Sequence, residues 1–369
     1  MVVRVLLYNV FWPLRQMDTF IIKVIIRMSK RDFYFDNAKF ILIFFVVFGH
    51  VIQSYIHDNS VITALYMTIY TFHMPAFILV SGYFAKGFYK KGYVKKLAKK
   101  LLIPYLIFQV IYTIFYYFLY QEHSFQIEPF VPQWSLWFLL SLFFWNILLI
   151  LFVKILKLKE NLALFISLIL GLVVGCFEDH LDVLSFSRTF VFFPFFLLGF
   201  YLKKEHFTSF ITTKARILFL VVLMAVLLSV YFNPNLNENW LLGSKSYAQL
   251  HSDNFTGMIL RIGIYAINIL MVCCFFAFVP QRKYFFTHWG RNTIYVYLLH
   301  GFFIKTFRES DVKNSVESVI LLLIVSFLLT VFLSSSYMTA VAQPFIEMKW
   351  AKLKKMILHM KKSSKYMES

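Results

Sequence analysis

Ten apolar runs of about 20 residues, separated by short polar or basic bridges, constrain this chain more than any other feature. A hydrocarbon layer about 30 Å thick needs about 20 apolar residues in a helix. The runs are Ala38–Ile56, Val61–Phe84, Leu101–Tyr120, Trp134–Leu156, Leu162–Phe177, Ser185–Leu202, Ala215–Phe232, Met258–Val279, Thr293–Phe307 and Val316–Val341. The fifth and ninth are short for a full crossing. The runs are continuous, not alternating, and backbone groups in lipid must be satisfied within the segment. The expected fold is therefore all-α, a polytopic membrane protein with a single bundle of about ten helices.

Composition agrees. The chain has 369 residues, is 60% hydrophobic and only 15% charged, with 46 Phe and a mean hydropathy of +0.69. Soluble domains carry about 25% charged residues. The net charge of +19 would suggest nucleic acid in a soluble chain. Here the basic residues sit between apolar runs, which is the pattern of membrane orientation, so no nucleic-acid partner is expected. Cys176, Cys273 and Cys274 lie in apolar stretches without metal-ligand spacing, and no metal site is expected.

With both termini placed in the cytoplasm, 31 of the 37 basic residues fall on the inner side. Arg308 falls in an outer loop on this count. Eleven of the 18 carboxylates fall outside. A wrong span count would scramble this asymmetry, so it supports both the count and the orientation. The domain reading is a cytoplasmic segment 1–34, a membrane domain 35–345 and a basic cytoplasmic tail 346–369. The first 27 residues suit an amphipathic surface helix, or else translation starts at Met28. No further domain is expected beyond the Lys-rich tail.

Ionisable residues inside spans are costly and therefore functional candidates. Lys39 and His50 stand eleven residues apart, about 20° past three full turns, so they share a face about 16 Å apart along the axis. Gln53, Ser54 and His57 continue that stripe. Lys39 can equally be a snorkelling anchor, and His50 a satisfied interhelical hydrogen bond. His73 shares a face with Tyr66 and Tyr70, and Pro75 can kink its helix. Ser81 precedes a helix-ending Gly82. Thr293, Tyr297 and His300 share a face, His300 being either a third interior histidine or a packing residue. Neutral imidazole suits a base near pH 7. No GxSxG, HExxH or Walker sequence is present.

These residues lie in segments that resemble the membrane acyltransferase-3 family, and within it the fucose 4-O-acetylase-like branch. The segments are FDNAKFILIFFVVFGH, FHMPAFILVSGY, LLIPYL after a Lys-rich loop, SLWFLLSLFFW, FFPFFLLGFYL and GRNTIYVYLLH, in the family's order. Many members carry Arg where this chain has Lys39. The resemblance implies an O-acetyltransferase of the bacterial plasma membrane. It would move an acyl group, usually acetyl, from cytoplasmic acetyl-CoA to a hydroxyl of an extracytoplasmic surface glycan or lipid-linked sugar. No cofactor would be permanently bound. On this reading His50 is the general base or a transient acyl carrier, and His73 orients or stabilises the oxyanion. Lys39, Ser81 and Lys86 bind the donor, while Tyr66, Tyr70 and His300 bind the acceptor. The alternatives are a polysaccharide exporter or flippase, and a secondary transporter of small solutes.

Overall fold

The computed structural model describes residues 32–121, 125–126, 128–178, 181–209, 211–310 and 318–347. The segment before residue 32, with Met28, and the tail beyond residue 347 lie outside the described residues. Each apolar run becomes helical: α1 Phe33–Ile52, α2 Ser60–Tyr83, α3 Tyr93–Leu119, α4 Trp137–Leu149, α5 Glu160–Val173, α6 Phe186–Tyr201, α7 Thr213–Tyr231, α8 Asn254–Phe278, α9 Thr293–Glu309 and α10 Val319–Ser334. A further helix, α11 Ser336–Ile346, continues α10 after a 60° bend. The described residues contain no strand. The protein is an all-helical, polytopic membrane protein.

Ten expected runs do not give ten full-length spans. Among the described residues, seven helices are long and apolar enough to cross a membrane, or eight if α10 and α11 form one broken span. The fifth run is a shorter apolar helix, Glu160–Cys176. The ninth, α9, has 17 residues and carries Lys305 and Arg308 in its final turns. At about 1.5 Å per residue, 17 residues fall short of a 30 Å layer.

Local chemistry sets the ends. Asp32 caps α1 by accepting from the Tyr34 N–H at 3.1 Å, and Asn59 caps α2 by accepting from Val61 at 2.9 Å. Asp253 caps α8 by accepting from the Thr256 N–H at 3.0 Å, and that bond holds its carboxyl below the usual range. The Asn37 amide, on α1, donates to the carbonyls of Pro280 and Arg282 at 2.8 Å each, and its oxygen accepts from Thr287 at 2.6 Å. Those bonds fasten the α8–α9 connection to the base of α1, beside Lys39.

α1 and α2 form the centre. α1 packs on α2, α9 and α10; α2 packs on α6, α7 and α8. The α2–α6 crossing is the tightest. A Cβ on Gly82 would overlap the Phe196 carbonyl, and one on Gly199 the Leu79 carbonyl. Small residues let two membrane helices approach this closely. Pro75 bends nothing loose: its missing N–H frees the Thr71 carbonyl one turn back. The buried Asn268 amide of α8 donates to that carbonyl at 2.9 Å in the orientation its neighbours dictate.

Candidate active site

Lys39 and His50 line one cavity of about 300 Å³ between α1, α2, α3, α4 and α9. Its basic end also holds Lys100 and Arg291, and Ser81 lies along its wall. Lys39 pairs with Asp36 at 2.8 Å, one turn earlier on α1, so the lysine is oriented as well as charged. Lys86 departs from expectation. The 3₁₀ turn Phe84–Gly87 carries it outward, where its ammonium donates to the Leu202 carbonyl at 2.8 Å and lies 4.3 Å from the Tyr83 ring centre. It does not line the cavity.

His50 is half-buried at the other end of the cavity. Its Nδ1 stands 3.4 Å from the Tyr70 hydroxyl. The His300 ring stacks on it, with centroids 5.6 Å apart and planes 28° apart, and Trp134 lies 4.5 Å from His50 and 5.2 Å from His300. Tyr66 stacks on Tyr70 at 4.0 Å, and His73 meets the Tyr70 edge at 4.5 Å. Tyr66, Tyr70, His73 and His300 thus form a layer behind and above His50, without lining the cavity themselves.

The ring nitrogens of the two deeper histidines are assigned by their partners. His73 Nδ1 lies 2.9 Å from the Ile69 carbonyl, and His300 Nδ1 lies 3.0 Å from the Val296 carbonyl. A carbonyl oxygen only accepts, so each Nδ1 carries a proton and each neutral ring keeps Nε2 as an acceptor. His300 is fully buried and its Nε2 has no hydrogen-bond partner.

Several site residues escape a reading of the sequence. Arg308, counted there as an outer-loop residue, lies in the last turn of α9 and turns inward. One guanidinium nitrogen donates to the His50 carbonyl at 2.6 Å and to Gln53 Oε1 at 2.7 Å. Its guanidinium and the Lys305 ammonium stand 5.7 and 5.4 Å from the Trp134 ring centre. Trp134 itself has φ +36°, a conformation costly for a bulky residue. The loop that forces it there is stapled by α3: Gln109 donates to the carbonyls of Glu128 and Val131 at 2.8 and 2.7 Å and accepts from the Gln133 N–H at 2.9 Å. Tyr105 donates to the Pro129 carbonyl at 2.7 Å. The next residue, Ser135, accepts at its carbonyl from the Tyr297 hydroxyl, while its own hydroxyl is buried and unpartnered at the cavity wall. A strained aromatic residue and an unpaired buried hydroxyl beside a histidine are features that active sites concentrate.

The arrangement offers a cationic mouth, an apolar-walled passage and an imidazole held from behind. Two relatives match over a short stretch. Nodulation protein NolL of Sinorhizobium fredii is 45% identical over 62 residues, and that of Mesorhizobium japonicum 42% identical over 62 residues. Each match covers 16% of this chain and 17% of the relative, so it spans under a fifth of the relatives' length. No solved structure matches. Residues 32–338 match the acyltransferase-3 family, described as an acyltransferase domain, and cover every element of this site. The chain belongs to the acyltransferase-3 family.

Proposed function

We propose that this membrane acyltransferase works in a bacterial plasma membrane and moves an acyl group, acetyl first among them, from cytoplasmic acyl-CoA to a hydroxyl of an extracytoplasmic glycan. The observation that carries the reading is the single cavity with Lys39, Lys100 and Arg291 at one end and His50 at the other. The basic end faces the cytoplasm in the orientation that lysine counting gives. Coenzyme A is polyanionic, with a long thin thiol arm. Its phosphates suit the cationic mouth, and its arm suits a narrow passage about 16 Å long, the rise of eleven helical residues.

The chemistry then follows from the groups at the far end. In the tautomer that carries its proton on Nδ1, toward the Tyr70 hydroxyl, the His50 ring presents Nε2 as the base. Nε2 takes the proton of the acceptor hydroxyl as that oxygen bonds to the thioester carbonyl carbon. The carbon–sulfur bond breaks, and the thiolate leaves and takes the proton back from His50. Ser135 lines the cavity and its buried hydroxyl has no partner, so on this reading it turns to donate to the developing oxyanion. Arg308, Gln53 and Trp134 hold His50 in place.

The test is the O-acetyl content of surface glycan in cells expressing His50→Ala at wild-type protein level. The reading expects the esters to vanish while the polysaccharide remains. Retained esters rule out a catalytic His50. Polysaccharide missing from the surface and held inside the cell would mark an exporter instead.

A further inference from the structure

Two cations stand at the outer end of the site, against the inward bias of the other basic residues. Lys305 and Arg308 lie one turn apart near the end of α9 and face the same ring. The ammonium is 5.4 Å and the guanidinium carbon 5.7 Å from the Trp134 ring centre. The ammonium also stands 5.4 Å from the Tyr116 ring centre and 5.7 Å from that of Tyr120. Three aromatic rings thus box the lysine where α3 ends.

The charge of this pair is not balanced. Among the described residues no carboxylate forms an ion pair with either side chain, and the Lys305 ammonium makes no hydrogen bond. Glu309, next along the chain, is exposed and pairs with neither. Arg308 gives one nitrogen to the His50 carbonyl and Gln53, while its Nε is buried without a partner. Both side chains are half-buried. Two like charges one turn apart and partly out of water cost free energy unless an anion offsets them. Ring faces attract a cation but bring no negative charge. The donor is not that anion on the reading above, because its phosphates belong with Lys39, Lys100 and Arg291 at the opposite end of the cavity. The indole that both cations face lies 4.5 Å from the His50 ring, close enough for a short saccharide to touch the pair and the base together.

We infer that the acceptor glycan is acidic, and that a carboxylate or phosphate borne on its sugars binds the Lys305–Arg308 pair while its hydroxyl meets His50. The inference rests on the acyltransferase reading and orientation proposed above, and narrows the acceptor to an anionic saccharide.

The glycan that loses O-acetyl esters when this protein is deleted should carry a carboxylate or phosphate in its repeating unit, read by mass spectrometry. Esters lost from a neutral glycan would overturn this inference and leave the acyltransferase reading standing. Binding to the full-length protein in phosphatidylcholine nanodiscs then separates the two anions. The probe is that glycan, de-O-acetylated with mild alkali, in three forms: untreated, carboxyl-reduced with carbodiimide and borohydride, or dephosphorylated with cold hydrofluoric acid. One treatment should weaken binding about tenfold, the scale of one charge-assisted contact, and so name the anion. Lys305→Gln should weaken the untreated glycan by a similar factor and leave the neutralised form unchanged, and Lys305→Arg should restore binding. His50→Ala should bind like the wild type, so a failure of the catalytic reading does not mimic a failure of this one. Equal binding of all three forms, or a folded Lys305→Gln protein that binds the untreated glycan as the wild type does, would overturn the inference.

Discussion

The guanidinium of Arg308 donates to the backbone carbonyl of His50 across 258 positions of sequence. The carbonyl belongs to the last turn of α1, where helix carbonyls lose their intrahelical partners. The charge therefore ends the helix, fixes the histidine and closes the aromatic stack through Trp134.

Arg308→Ala should damage both stability and turnover. It removes two hydrogen bonds from a charged donor, each worth about 1.5–3 kcal/mol when buried. A lower melting temperature in detergent is expected, with acyl transfer lost more steeply than folded protein. Arg308→Lys should recover part of the stability, because an ammonium reaches either acceptor but lacks the planar fork. Full activity in Arg308→Ala would show that His50 needs no external support.

Lys39 faces the cavity with two other cations, so its removal should weaken donor binding and spare the chemistry. In Lys39→Ala, the apparent KM for acetyl-CoA should rise about tenfold, as expected for one lost charge-assisted contact of about 1.4 kcal/mol. Added salt should narrow the gap between the variant and the wild type if the contact reaches solvent. Lys39→Arg should bind donor at least as well, because a guanidinium grips phosphate in two places. Steady-state kinetics with varied acetyl-CoA checks all three outcomes.

Much of this was legible before any coordinates. Continuous apolar runs announced the helices because lipid leaves the backbone no other partner. Lys39 and His50 could be placed on one face because helical periodicity is local, and both line the same cavity. Arg308 was not legible, because its partner lies on a distant helix and nothing near it in sequence marks an inward turn. Trp134 was hidden for a related reason: its unusual φ is imposed by Gln109 and Tyr105 on α3, not by its own neighbours. The direction of Lys86 is not legible in the sequence, because the 3₁₀ turn that carries its ammonium to the Leu202 carbonyl is set by tertiary packing.

The α2–α6 crossing gives a prediction about folding rather than chemistry. Gly82→Leu should yield little membrane-extractable protein, since a side chain there meets the Phe196 carbonyl, a backbone atom that cannot rotate away. Gly82→Ala already requires the helices to part, and overpacking of this kind costs about 1–3 kcal/mol. Gly87→Ala, where a Cβ meets open space, is the matched control and should extract like the wild type. Size-exclusion profiles of the three variants separate packing from a general intolerance of glycine loss.

Ser135 offers the sharpest test of the chemistry. Its hydroxyl is buried, has no partner and belongs to a residue lining the cavity. A buried hydroxyl without a hydrogen bond costs free energy in the resting protein, so Ser135→Ala should leave stability unchanged or slightly raised. If the hydroxyl donates to the oxyanion, the same change should lower kcat by about 10²–10³-fold with little change in KM, the signature of an interaction made only in the transition state. The Tyr297 hydroxyl bonds the Ser135 backbone carbonyl, which alanine keeps, so the loop should hold its shape. A variant as stable as the wild type and equally fast would remove Ser135 from the mechanism. A variant that is slow only because KM rises would make it a contact to the acceptor or the donor in the ground state.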